Sequence, residues 1–102
     1  MDIETLEKLL AQGQDNLLLR FGLAQSLMKE DQLVEAIVHL EKALEFDPAH
    51  SASLKLLGKA YNAEGNTDKA IEIYTKGIEQ AEQKGDIQAA KEMKVFLRRL
   101  LK

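Results

Sequence analysis

The stretch that decides the fold runs from residue 17 to residue 84, because it contains one pattern twice. "LLLRFGLAQSLMKEDQLVEAIVHLEKALEFDPAH", residues 17–50, is followed directly by "SASLKLLGKAYNAEGNTDKAIEIYTKGIEQAEQK", residues 51–84. Apolar and small residues coincide when the second segment is laid over the first, 34 positions on: Leu23 with Leu57, Ala24 with Gly58, Leu27 with Tyr61, Ala36 with Ala70, Leu40 with Tyr74, and Ala43 with Gly77. The chain therefore contains an internal repeat.

Each unit of the repeat predicts two helices. Its apolar residues recur every three or four positions, which is the spacing of one helix face, and a polar break ("KEDQ" or "AEGNTD") divides the unit in two. Ala24 and Gly58 are the small residues that let two helices cross closely. Gly58 costs roughly 1 kcal/mol of helix propensity relative to alanine. We expect Gly58→Leu to overpack the crossing and destabilise the fold.

The period and three motifs resemble the tetratricopeptide-repeat family. The motifs are "LKLLGKAY" (residues 54–61), "AIEIY" (residues 70–74) and the "DP" pair of Asp47 and Pro48. The resemblance implies an all-α fold, an α-solenoid of antiparallel helical hairpins with about six helices. Arg20 and Leu54 stand where the family often has tryptophan, and we expect looser packing at these two positions.

We predict one domain, residues 1–102, with four parts. Residues 17–50 and 51–84 are the two repeats, and Pro48 marks the turn between them. Residues 1–16 form an amino-terminal capping helix, since Leu6, Leu9 and Leu10 fall on Leu40, Ala43 and Leu44 one period later. Residues 85–102 form a carboxy-terminal capping helix that fits neither repeat position well. Such caps cover the ends of a solenoid.

Charge and composition narrow the classes of function. The net charge is −3, with ten acidic and four basic residues up to His50, and seven acidic and ten basic residues after it. A net acidic chain without exposed aromatics among its basic residues disfavours nucleic-acid binding. The absence of cysteine, of a basic leader and of a membrane-length apolar segment predicts a cytoplasmic protein without a membrane partner.

The sequence gives no sign of catalysis. His39 and His50 are the two histidines, and one possible carboxylate neighbour, Glu35, falls far short of a metal site. Ser51 and Ser53, next to His50, are expected to cap a helix rather than to act as nucleophiles. We predict no enzyme activity, no catalytic residue, no cofactor and no metal.

The resemblance also implies a binding surface, because first helices in this family line a concave groove. The positions that correspond in this chain are Leu18, Phe21, Gln25, Met28, Lys55, Lys59 and Asn62. These residues predict a groove for a peptide or helix of another protein, apolar at one end and attractive to acidic side chains at the other. The interpretation is a non-catalytic protein–protein interaction module or adaptor. Two alternatives stay open: a self-assembling structural protein that uses its exposed apolar helix faces, and a regulatory subunit of an enzyme.

Overall fold

The computed structural model describes residues 2–102, and this part of the chain folds into six helices. They are α1 (Ile3–Ala11), α2 (Leu17–Lys29), α3 (Leu33–Phe46), α4 (Ser51–Ala63), α5 (Thr67–Gln83) and α6 (Ile87–Leu100). The fold is all-α, as predicted. The first residue of the predicted capping segment 1–16 lies outside the described residues.

Side chains at the helix starts explain where most of these helices begin. The side-chain oxygens of Asp2, Asn16, Asn66 and Asp86 accept hydrogen bonds from backbone N–H groups three residues later, at 2.8–3.2 Å. Each bond satisfies a donor that has no partner within its helix. Helix α4 begins differently, since its cap residue is His50 and no side chain bonds the backbone there. The prediction that Ser51 and Ser53 cap this helix is therefore wrong.

The turn within each hairpin contains a residue with a left-handed backbone conformation. Gly65 has φ 91° between α4 and α5, and Asp31, one period earlier, has φ 58° between α2 and α3. Glycine takes this conformation without a steric penalty and aspartate tolerates it. Between the repeats, α3 ends at Phe46 and the Lys84 amine donates a hydrogen bond to the Ala49 carbonyl. Pro48 thus lies in a turn that is held by Lys84, the residue directly after α5.

The helices form two rows of different curvature. Each helix packs against the next along the chain, and α2, α4 and α6 also contact one another in order. Within residues 2–102, α1, α3 and α5 make no such contacts among themselves. Helices α2, α4 and α6 therefore lie closer together than α1, α3 and α5 do. The face of this row that points away from the other row is the concave side of the molecule.

The core lies between the two rows and depends on small residues at the crossings. Leu23, Leu40, Leu54, Leu57 and Met93 are completely or almost completely buried. A Cβ atom on Gly58 would lie 2.3 Å from Cε1 of Tyr74, and a Cβ on Gly77 would lie 2.5 Å from Sδ of Met93. The structure thus confirms the crossing role predicted for Gly58.

The expected looseness at Arg20 and Leu54 does not occur. Leu54 has no exposed surface. The Arg20 guanidinium makes two hydrogen bonds to the Asp15 carboxylate, at 2.7 and 2.8 Å, and lies 2.9 Å from Nδ1 of His39. Bidentate pairing fixes a long side chain well. A polar network therefore fills the first of these positions and a well-packed leucine the second.

Helix α6 lies where a further first helix would lie. It packs against α5 and α4, just as α4 packs against α3 and α2. By these contacts α6 takes the place of a first helix, although its sequence does not follow the 34-residue repeat closely. No helix in the described part of the chain is long and apolar enough to cross a membrane.

Candidate functional site

Two adjoining cavities run along the concave side, and we call them together the groove. The first, of about 230 Å³, lies between α2, α4 and α6. Its lining residues are Phe21, Gln25, Ala52, Lys55, Leu56, Lys59 and Glu92. The second, of about 380 Å³, lies between α4, α5 and α6, and its lining residues are Lys59, Asn62, Ala63, Tyr74, Phe96, Arg99 and Leu100. Lys59 lines both, so the two cavities adjoin at this residue.

The structure brings five of the seven predicted site residues together in this groove. They are Phe21, Gln25, Lys55, Lys59 and Asn62. The other two, Leu18 and Met28, line neither cavity. Leu18 is 75% exposed, and Met28 is half-buried against the core. Leu18 is accessible although α1, α3 and α4 all contact its helix.

Phe21 forms the apolar end of the groove and packs against His50. Its ring meets the His50 ring edge to face, with 5.4 Å between the centroids. Nδ1 of His50 lies 2.7 Å from Oγ of Ser53, which is fully buried. Burial lowers the pKa of His50 below its usual value of 6.5. A neutral imidazole therefore supports the aromatic wall.

The charges of the groove are distributed differently from the sequence expectation. Lys55 is paired with Glu92 on α6, at 3.2 Å, so an intramolecular carboxylate already balances its charge. Lys59 is exposed and its Nζ lies 5.0 Å from the centroid of the Phe96 ring. In residues 2–102 no carboxylate lies within salt-bridge distance of Lys59 or Arg99. These two cations face the wider cavity and are available to an acidic group.

The wall that α6 contributes was missed by the sequence analysis. Glu92, Phe96 and Arg99 all line the groove, and their spacing of four and three residues is that of one helix face. That spacing was visible in the sequence. It went unused because the groove positions were assigned only within the two repeats, residues 17–84.

The polar clusters of the molecule offer little for catalysis. His50 and Ser53 have the distance of a base and its nucleophile, but the fully buried Ser53 hydroxyl is closed to a substrate. His39 accepts from the Arg20 guanidinium through Nδ1, since arginine only donates. Among the described residues, no group of three histidine, aspartate or glutamate side chains is placed to hold a metal ion.

Comparison with known proteins decides the family. The model of the tetratricopeptide-repeat family matches residues 27–93, which is more than half of the chain. This chain is a tetratricopeptide-repeat protein. It is 48% identical over 100 residues to a TPR repeat-containing protein of Pseudomonas aeruginosa, an alignment that covers 98% of this chain and 95% of that one.

Solved structures agree with the tetratricopeptide-repeat fold. A solution structure of a Bordetella parapertussis protein is 43% identical and superposes with a TM-score of 0.86, covering 97% of this chain and 86% of that one. A tetratricopeptide-repeat domain protein from Salinibacter ruber is 30% identical with a TM-score of 0.78, covering 84% and 87%. The tetratricopeptide-repeat fold is generally a protein–protein interaction module, and the family is generally non-catalytic.

Proposed function

We propose that this tetratricopeptide-repeat protein is a non-catalytic interaction module whose groove binds a segment of another protein. The observation that carries the proposal is the convergence of residues from α2, α4 and α6 on two adjoining cavities. Phe21 comes from α2, Lys59 from α4, and Phe96 and Arg99 from α6. A segment lying across the three helices would contact all of them at once.

The chemistry of the groove specifies the kind of segment. The Phe21 ring and the Phe96 ring offer aromatic surface at two places, and apolar side chains gain most from burial against such surface. Lys59 and Arg99 attract carboxylates from the segment. The preferred ligand is therefore a peptide or helix with apolar and acidic side chains. If that ligand belongs to an enzyme, the module acts as its regulatory subunit through the same groove.

Selection from a random peptide library on the immobilised chain tests this function. We expect the selected peptides to be enriched in acidic and large apolar residues. Fluorescence anisotropy then measures one labelled peptide against each variant. Lys59→Glu should weaken binding roughly tenfold by reversing a charge in the groove. Lys76→Glu is the matched control, since Lys76 is an exposed lysine of α5 that lines neither cavity.

A second pair of variants tests the aromatic wall. Phe21→Ala should weaken binding by roughly tenfold or more, whereas Phe46→Ala removes a 52% exposed ring from α3 and should leave binding unchanged. Circular dichroism checks that each variant is folded. Equal binding by the two lysine variants and by the two phenylalanine variants would show that the peptide does not use the groove.

A further inference from the structure

The wider cavity of the groove brings together polar side chains that have no partner within the protein. In residues 2–102 no acidic side chain lines it, and its polar lining consists of Lys59, Asn62, Tyr74 and Arg99. Lys59 and Asn62 lie one turn apart on α4, whereas Tyr74 comes from α5 and Arg99 from α6. Within the described part of the chain, none of these four side chains makes a hydrogen bond or an ion pair. All four can donate hydrogen bonds to a ligand.

The Tyr74 hydroxyl is the least accessible of these donors. Tyr74 is 2% exposed. Among residues 2–102, Oγ of Ser51 is the only side-chain oxygen or nitrogen that is closed off from solvent without a hydrogen-bond partner. The unpaired Tyr74 hydroxyl therefore keeps a small exposed surface, and the open space beside Tyr74 is the cavity. Burial raises the pKa of Tyr74 to about 12, so the hydroxyl stays a neutral donor that favours an acceptor from a ligand.

The first repeat fills the equivalent place without a polar group. Leu40 lies there, 34 residues before Tyr74, and Ala24 takes the place of Gly58. Leu40 has no exposed surface, so an aliphatic side chain is enough to close this helix crossing. The ring of Tyr74, in contrast, needs the missing Cβ of Gly58. The second repeat therefore accommodates a hydroxyl that packing alone does not require.

Lys59 and Arg99 give the cavity two positive charges. Both side chains are exposed, and Nζ of Lys59 lies 5.0 Å from the centroid of the Phe96 ring, a contact that steadies the ammonium group beside the cavity. Ala63, Phe96 and Leu100 supply the apolar part of the lining. A ligand that matches this lining has two negative charges, several acceptor oxygens and a carbon body.

We propose that the wider cavity binds a phosphorylated side chain of the segment that occupies the groove. A phosphate monoester carries a charge of about −1.5 to −2 at pH 7 and has three strong acceptor oxygens, whereas a carboxylate carries a single charge. Lys59 and Arg99 balance the charge of the phosphate. Asn62 and Tyr74 donate hydrogen bonds to its oxygens. The peptide as the source of the phosphate rests on the proposed function, but the preference of the cavity for a phosphate monoester does not.

Titration of the isotope-labelled full chain with phenyl phosphate, followed by NMR, tests the cavity without a protein partner. We expect saturable shifts of the backbone amide signals of Lys59, Asn62 and Arg99. Phenyl sulfate has nearly the same shape but a single negative charge, and it should bind roughly tenfold more weakly. Equal binding of the two esters, or no saturable shift at these residues, overturns the proposal.

Conservative variants test the assigned donors. Tyr74→Phe removes the hydroxyl and keeps the ring, so it should weaken the binding of phenyl phosphate by roughly threefold to tenfold. Arg99→Gln should weaken it roughly tenfold. Arg98→Gln is the matched control, since Arg98 is one residue away and does not line the cavity. Circular dichroism checks that the variants are folded. Unchanged affinity in Tyr74→Phe and Arg99→Gln, or an equal loss in Arg98→Gln, would refute the assigned site.

Peptide libraries with a fixed central residue test the source of the phosphate. We expect the immobilised chain to retain peptides with a central phosphoserine or phosphotyrosine roughly tenfold better than peptides with a central glutamate. Equal retention would refute a phosphorylated side chain as the ligand. Retention of no peptide at all, together with binding of phenyl phosphate, would refute the proposed function and the peptide source but leave the preference of the cavity intact.

Discussion

Gly58 shows how one hydrogen atom in place of a side chain determines the spacing of two helices. A methyl group there would collide with the ring of Tyr74, which is only 2% exposed and would have to shift. We expect Gly58→Ala to lower the free energy of unfolding by roughly 1–3 kcal/mol, with overpacking outweighing the gain in helix propensity. Urea unfolding measures the change.

The matched control is Gly22→Ala, in the middle of α2. No atom lies within 4 Å of a Cβ built at Gly22. Only the propensity effect remains, so this variant should be stabilised by roughly 0.5–1 kcal/mol. A Gly58→Ala protein as stable as the Gly22→Ala protein would contradict the close contact with Tyr74.

His39 should make stability depend on pH near neutrality. Burial and the Arg20 guanidinium lower the pKa of His39 below 6.5, and the weaker pull of Glu7, Asp15 and Glu35 in the other direction does not restore it. The folded state thus binds a proton less readily than the unfolded state. The stabilisation is complete above pH 6.5 and is lost as the pH falls below that value.

We expect the free energy of unfolding to fall between about pH 7.5 and about pH 5.5, and to fall less in His39→Gln. The remaining slope in that variant belongs to His50, whose pKa is also lowered. Asp15 does not contribute in this range, because Arg20 lowers its pKa below 3.8. Chemical denaturation at several pH values measures the slopes, and identical slopes in parent and variant would exclude His39 as a source.

The repeat allows a direct comparison between the starts of two equivalent helices, α3 and α5. Asn66 caps α5 through the Lys69 N–H, whereas Gln32, one period earlier, makes no side-chain cap at the start of α3. The backbone is nearly the same at both, with φ −94° and ψ 73° at Gln32 and φ −93° and ψ 73° at Asn66. The difference lies in the side chain alone.

Exchanging these residues should therefore move stability in opposite directions. Gln32→Asn should add up to about 1 kcal/mol by supplying the missing cap, and Asn66→Gln should remove about 1 kcal/mol. Both effects appear as shifts of the urea midpoint without a change in the slope of the transition. Shifts of the same sign in the two variants would mean that capping does not explain the difference.

Across the whole molecule, the 34-residue pattern was enough to predict the two hairpins and the crossing at Gly58, whereas the groove lined by first helices was implied by the family resemblance. The sequence pattern did not identify α6 as a first helix because its spacing from the preceding helix differs from that within the repeats. Helix α5 runs to Gln83, so α6 starts 20 residues after α5 starts, whereas α4 starts 18 residues after α3 starts. An alignment at a fixed period therefore placed the buried residues of α6 on the wrong positions.

The side-chain pairings between helices were beyond any sequence pattern. Lys55 and Glu92 lie 37 residues apart, and Phe21 of α2 meets His50 at the start of α4. Such contacts depend on the angle between neighbouring helices, which the spacing of apolar residues does not fix. For this reason, the sequence identified only five of the thirteen residues that line the groove, and it placed the free positive charge at Lys55 and Lys59 rather than at Lys59 and Arg99.

Site-specific photocrosslinking in the native host tests the central claim, binding through the groove, most directly. A photoreactive residue at Gln25, which is exposed and lines the groove, is compared with one at Val38, which is 51% exposed on α3 and lines neither cavity. We predict one discrete protein adduct from position 25, its loss when Lys59→Glu is combined with it, and no such adduct from position 38. Absence of an adduct at position 25, or the same adduct from both positions, would contradict the account.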